Sequence, residues 1–157
     1  MESALAHAAI LEKQHYYDSV ISIKSSSVKD TVEAYRLIST KCDYPLHIGV
    51  TEAGGGEMAL VKSAAAMGAL LVDGIGDTMR ISMTGDPVQE IHAAKAILKA
   101  VGIRKEGIEI VSCPTCGRTK IDLIALAARF EEAARNEGLM DLPLHVALMG
   151  CVVNGPG

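Results

Sequence analysis

At 157 residues, 49% of them hydrophobic, the chain carries enough apolar surface for one good core or for parts of two domains, and it is no disordered tail. A formal net charge of −4 leaves no basic stripe to neutralise a nucleic-acid backbone, and no apolar run reaches the ~18 residues that a membrane-spanning helix needs. Aromatics make up only 3% and Trp is absent, so the core must be Ala, Val, Ile, Leu and Met, which suits tightly packed α/β layers.

Residues 2–14 read as a helix with Ala4, Leu5, Ala8, Ala9 and Leu11 on one side. Residues 19–26 form a short β-branched strand, and 28–41 an amphipathic helix with apolar Val28, Val32, Tyr35, Leu37 and Ile38. A strand over 45–52 and a glycine loop over 53–57 lead into a helix over 58–76. A strand follows at 78–84, and the turn 85–87 opens a helix over 88–102. This alternation predicts βα units on a parallel sheet. Lys24, Glu52 and Arg80 each stand near the C-terminal end of a strand, and each is 28 residues from the next. A βα period of roughly 28–30 residues is that of a (β/α)8 barrel. Residues 1–102 therefore read as the C-terminal half of a TIM barrel, three units behind a leading helix. Half a barrel has two open edges, so the chain reads as incomplete at its N-terminal side.

From residue 103 the texture changes. A strand at 108–112, a helix at 120–138 stopped by Gly138 and a strand at 142–150 make a βαβ segment. This segment opens a second α/β domain, 103–157, behind a linker near 102–107.

The second domain carries three of the four cysteines. Without an export signal they point to a reducing, cytoplasmic setting, where clustered cysteines bind metal or do redox chemistry more often than they form disulfides. Cys113 and Cys116 lie in Cys-Pro-Thr-Cys-Gly, whose proline and glycine supply the turn that lets both sulfurs point one way. Cys151 follows Met-Gly at the end of the next strand. A right-handed crossover puts the C-terminal ends of two parallel strands on one sheet edge. The three sulfurs can thus converge although 35 residues separate Cys116 from Cys151. Three thiolates on loops suit an iron–sulfur cluster or a zinc ion, and spacing leaves that choice open. A structural zinc–thiolate module and a dithiol oxidoreductase using Cys113 and Cys116 are the rival readings. Cys42, at a helix end, reads as a plain buried or half-buried thiol.

At the strand ends, Lys24 would project toward the barrel mouth, where such folds keep their chemistry. Glu52, followed by glycines before a helix, suits a general acid, a phosphate-facing loop or a helix cap. Arg80 and Ser82 alternate to one face, and an arginine in an apolar strand calls for an anionic partner. His47 lies in a strand, where it could touch the site, but reads better as a hydrogen-bonded core histidine. Cations at a barrel mouth favour a small phosphorylated substrate.

In order, "ESAL", "PLHIGVTEAGG", "VKSA", "DGIGDTMRIS", "DPVQEI", "SCPTCGRTKID" and "MGCVVNGPG" resemble the C-terminal half of the 4-hydroxy-3-methylbut-2-enyl diphosphate synthase family, in its compact bacterial two-domain form. The resemblance covers essentially the whole chain. It implies a TIM-barrel substrate domain followed by a reductase-like α/β domain with a [4Fe–4S] cluster. It implies reductive ring opening and dehydroxylation of 2-C-methyl-D-erythritol 2,4-cyclodiphosphate, a step of isoprenoid biosynthesis, with electrons from ferredoxin or flavodoxin. Cys113, Cys116 and Cys151 would bind three irons. The fourth ligand, a glutamate, would stand just beyond Gly157, outside this chain, so the chain reads as a fragment, inactive alone. Glu52 would be the acid that assists loss of the hydroxyl. Lys24, Arg80 and Ser82 would hold the diphosphate, and Asn154 would contact substrate or cluster. The family works as a homodimer in which the cluster domain of one subunit closes over the barrel of the other.

Overall fold

A computed structural model describes residues 1–155 as two compact units, one from Met1 to Arg104 and one that begins at Lys105. In the first unit α1 (Glu2–Glu12) precedes an extended segment around residues 20–24. Three helices follow, α2 (Val28–Ser39), α3 (Gly56–Val72) and α4 (Pro87–Ala100), alternating with the short strands β1 (His47–Ile48) and β2 (Thr78–Met79). The caps are those the sequence dictates. Ser27 Oγ accepts the Asp30 N–H at 3.2 Å to start α2, and Asp86 Oδ1 accepts the Val88 N–H at 2.9 Å with Pro87 in the first turn of α4.

The strands run parallel, with His47 opposite Thr78 and Ile48 opposite Met79, and a single bridge joins Ile21 to Leu46 on the other side. Alternation sorts this small sheet into two faces. Ile21, Leu46, Ile48, Val50 and Ile81 are buried in one cluster with Tyr35 and Ile38 of α2, Ala66, Met67 and Leu70 of α3, and Ile97 of α4. Lys24, His47, Gly49, Arg80 and Ser82 occupy the opposite parity. Of the expected apolar side of α1, Ala8 is buried and Ala4 and Leu5 pack half-buried against the core, while Ala9 and Leu11 are exposed.

The extended stretches are much shorter as ladders than the sequence suggests, and the first gives the physical reason. Ile21 N–H donates to Pro45 O and His47 N–H to Ile21 O, both in parallel register. The next rung would join Ile23 N–H to His47 O. The Tyr35 hydroxyl stands there instead, accepting from Ile23 N–H at 2.9 Å and donating to His47 O. A helix side chain thus completes the ladder. Burial pushes the Tyr35 phenol above its ordinary value, so it stays a donor.

The second unit holds β3 (Glu109–Ser112), α5 (Leu123–Asn136), a 3-10 turn (Leu139–Asp141) and β4 (His145–Leu148). The two strands pair in parallel from Glu109↔His145 to Ser112↔Leu148. Asp122 Oδ1 caps α5 through the Ala125 N–H at 3.0 Å. Past the end of the helix, Gly138 takes the left-handed conformation, φ 68°, that stops it. Ile108, Leu123 and Ala134 are its buried apolar residues. No helix among the described residues is long and apolar enough to cross a membrane.

Two stability outcomes follow from this packing. Tyr35→Phe leaves Ile23 N–H and His47 O without their shared partner and is expected to cost about 1–3 kcal/mol in urea unfolding of the chain. Ser63, buried on α3, has a hydroxyl with no partner among the described residues. Ser63→Ala is accordingly expected to leave stability unchanged or raise it by about 1 kcal/mol.

Candidate functional site

In the first unit the candidate groups gather on the sheet face away from the core. A Cβ built on Gly49 would lie 3.3 Å from Lys24 Cε and 3.5 Å from Lys24 Nζ, so the lysine stem crosses the middle segment at that point. Desolvation, then the Arg80 guanidinium, pushes the Lys24 ammonium below its ordinary value. The same sheet face holds His47, whose Nδ1 lies 2.8 Å from Thr78 Oγ1. Desolvation and the charges of Lys24 and Arg80 hold this imidazole low, which favours its neutral form. Sequence reasoning weighed a place at the site for His47 and favoured the core. The residue is half-buried and feels the charges of Lys24 and Arg80. The available signal was its parity with Gly49.

Arg80 is not embedded in apolar surroundings. Its side chain is 62% exposed, and Nε stands 3.8 Å from Glu90 Oε2. The demand for a ligand anion, argued from burial alone, is therefore removed, because α4 already supplies a carboxylate. Glu90 is itself anchored, accepting the Met83 N–H at 3.0 Å. Ser82 is half-buried, two residues along the same parity.

Glu52 follows the second extended stretch at φ 53°, the left-handed region, and is exposed. A non-glycine residue there costs about 1–2 kcal/mol. Its carboxylate has no hydrogen bond or ion pair with any described residue. The glycines beside it, Gly54 at φ 92° and Gly56 at φ 61°, bend the chain into α3. The site expected to enclose Glu52 is not closed among the described residues.

The second unit builds its site at the C-terminal edge of β3 and β4. Cys113 extends the ladder by one rung, its N–H donating to Leu148 O at 3.1 Å. The Cys116 turn is tied internally by Thr119 N–H to Cys116 O at 2.9 Å and by Cys116 N–H to Thr119 Oγ1 at 3.1 Å. It is tied to the other strand by Lys120 N–H to Gly150 O at 3.0 Å. Gly150 must be small, since a Cβ there would meet Thr119 Cγ2 at 2.8 Å. Beyond Cys151 the chain turns back with Gly155 N–H on Cys151 O at 3.1 Å. That turn brings Asn154 Nδ2 to 3.4 Å from Cys113 Sγ. All four cysteines of the chain are free thiols. Cys42, half-buried, only approaches Ile38 O, at 3.7 Å.

Arg118, which sequence reasoning passed over, interacts with all three sulfurs of this edge, most strongly with Cys116. Hydrogen bonds from its backbone and its side chain hold the exposed Cys116 thiol below its ordinary value, toward the thiolate. A cation directly after Cys-x-x-Cys-Gly was the signal to read. Among the described residues no three His, Cys, Asp or Glu side chains stand close enough together to hold a metal ion as they lie. The donor set nevertheless fits a soft metal or cluster: three thiols, on loops that adjoin through parallel strands, with one already biased to its ligating form.

The chain matches the description "GcpE TIM-barrel domain" over residues 1–95 and "GcpE protein C-terminal domain" over 109–157. The chain belongs to the GcpE family. It is 57% identical, over all 157 residues, to the 4-hydroxy-3-methylbut-2-en-1-yl diphosphate synthase (flavodoxin) of Caldanaerobacter subterraneus subsp. tengcongensis, covering 43% of that protein. Proteins of the same name from Fusobacterium nucleatum and Clostridium perfringens are 57% and 55% identical over the same length, with 44% of each covered. The chain thus spans less than half the length of these curated relatives. The GcpE match and the alternation of helices with parallel strands agree on an α/β chain with a TIM-barrel region.

The Arg118 contact predicts a pH effect. Its backbone hydrogen bond, the largest influence on Cys116, survives substitution, whereas its side-chain hydrogen bond and charge do not. Arg118→Met should therefore raise the thiol pKa in part and slow iodoacetamide alkylation of Cys116 below pH 8. Peptide-resolved alkylation of the metal-free chain measures this, and an unchanged rate profile would remove the Arg118 side chain from the site.

Proposed function

We propose that this chain is the substrate-holding and cluster-binding part of an enzyme that reductively opens 2-C-methyl-D-erythritol 2,4-cyclodiphosphate to 4-hydroxy-3-methylbut-2-enyl diphosphate. On this reading residues 1–102 are the C-terminal half of a TIM barrel, and residues 103–157 begin an iron–sulfur domain. The enzyme is a cytoplasmic homodimer that takes electrons from flavodoxin or ferredoxin. What carries the reading is the joint observation of high identity to synthases so named across both units and three free thiols at one parallel sheet edge.

Cys113, Cys116 and Cys151 would hold a [4Fe–4S] cluster, with a further protein ligand from beyond Gly157. When bound, the cluster supplies electrons at the low potentials that such centres reach. The chain's own residues do the rest. Lys24 and Arg80 neutralise the diphosphate, so that the ring oxygen can leave its carbon as part of a phosphate already stripped of excess charge. Ser82 adds a hydroxyl donor beside Arg80. His47, neutral, presents a hydrogen-bonding ring without a third positive charge. Glu52, on its strained turn, gives its proton to the departing hydroxyl, which leaves as water. Asn154 lies against Cys113 and belongs to the cluster side of the chemistry.

Three measurements on the full-length protein test this. Anaerobic metal analysis should find iron with acid-labile sulfide, and Cys113→Ser should lose the broad visible absorbance. Zinc without sulfide would point to a structural module, and a Cys113–Cys116 disulfide on mild oxidation with no metal at all to a dithiol oxidoreductase. Glu52→Gln should bind the cyclodiphosphate but turn over about 100-fold or more slowly. Unchanged turnover would take the acid role from Glu52.

A further inference from the structure

We propose that Gly49 is a positioning residue: the space left by its missing side chain is the channel through which Lys24 crosses the middle strand toward the Arg80 segment. The inference rests on the anion-binding role given above to Lys24 and Arg80.

Gly49 is buried, yet its parity is opposite to that of the core residues Ile48 and Val50. Its backbone is not left-handed, unlike that of eight other glycines among the described residues, so the conformation does not require glycine. Space does. A methyl group at this position would stand 2.9 Å from Arg80 O, 3.3 Å from Lys24 Cε and 3.5 Å from Lys24 Nζ. The neighbours that cover Gly49 on this side are therefore the lysine stem and the backbone of the Arg80 segment. Adding a Cβ presses on the Arg80 carbonyl first and then on the lysine stem, the more yielding of the two, which gives by a few tenths of an ångström and carries the ammonium with it.

The charges on this face give the placement its purpose. Lys24 makes no hydrogen bond or ion pair with any described residue, and Arg80 has only the 3.8 Å approach to Glu90. The Arg80 charge acts on Lys24, and both cations act on His47. Like charges gathered this way are stabilised by a ligand with more than one negative charge, as a diphosphate has. An ammonium displaced by a few tenths of an ångström loses a charge-assisted hydrogen bond while the chemistry at the carbon is untouched. The loss should fall on binding.

The test uses the full-length enzyme and steady-state kinetics with the cyclodiphosphate. Gly49→Ala should raise KM about tenfold with kcat nearly unchanged. Lys24→Met should raise KM at least as much, and the double variant should be no worse than Lys24→Met alone, since both act through one contact. If Gly49→Ala keeps the parent KM while Lys24→Met loses it, or if the two losses multiply, the positioning role is overturned and the anion-binding reading stands. If Lys24→Met keeps the parent KM, the anion-binding reading of Lys24 fails and this inference with it. Should Gly49→Ala not fold, the Gly49→Ala, Lys24→Ala pair separates the two neighbours. Recovery of a cooperative thermal transition supports Lys24 as the occupant of the channel, and no recovery assigns the need for glycine to the Arg80 carbonyl and overturns the inference.

Discussion

Parallel pairing in register is the constraint from which the candidate chemistry follows. Ser112 stands opposite Leu148, so the residues that come next on both strands, the Cys113 turn and the Cys151 turn, leave the same edge together. An antiparallel pairing would send them to opposite ends. The first unit obeys the same rule: Lys24, Glu52 and Arg80 each lie at or just past the C-terminal end of an extended segment. The helices between the segments serve this end, because each must be long enough to return the chain to the start of the next parallel strand.

The two units use that edge differently. In the first, functional groups stand on the strands themselves, on the face that alternation turns away from the aliphatic core. Their positions are fixed by backbone pairing and by side chains from below, above all the Tyr35 hydroxyl between Ile23 and His47. In the second, the sulfurs stand on turns, and the turns are fastened by short hydrogen bonds to each other and to the strand ends. A site on turns has room to adjust, which suits thiols that lie near one another but not yet around one centre.

Much of this was readable from the residues. The helices follow their apolar periodicity and their Ser27, Asp86 and Asp122 caps to within a few residues, and the Cys-Pro-Thr-Cys-Gly turn lies where its proline and glycine put it. The strands were overextended, because alternation marks which residues can be extended and not which rungs are made. Tyr35 looked like an ordinary core position on an amphipathic helix, and nothing in a linear pattern says that its hydroxyl will enter a ladder. Arg80 was judged by its apolar neighbours in sequence, while the carboxylate that meets it, Glu90, comes from the first turn of the next helix. Arg118 and Gly49 act through space left or filled in three dimensions, which composition and spacing do not encode.

Most weight falls on Cys151, the proposed ligand that shares no sequence neighbourhood with the Cys113–Cys116 pair and is brought to the same sheet edge only through strand pairing. Its role is tested most directly by the electron paramagnetic resonance spectrum and the iron and sulfide content of anaerobically reconstituted full-length Cys151→Ala protein. The account predicts that the reduced [4Fe–4S] signal of the parent is lost and that iron and sulfide fall together. A variant that keeps the parent's spectrum and its full iron and sulfide content would contradict it.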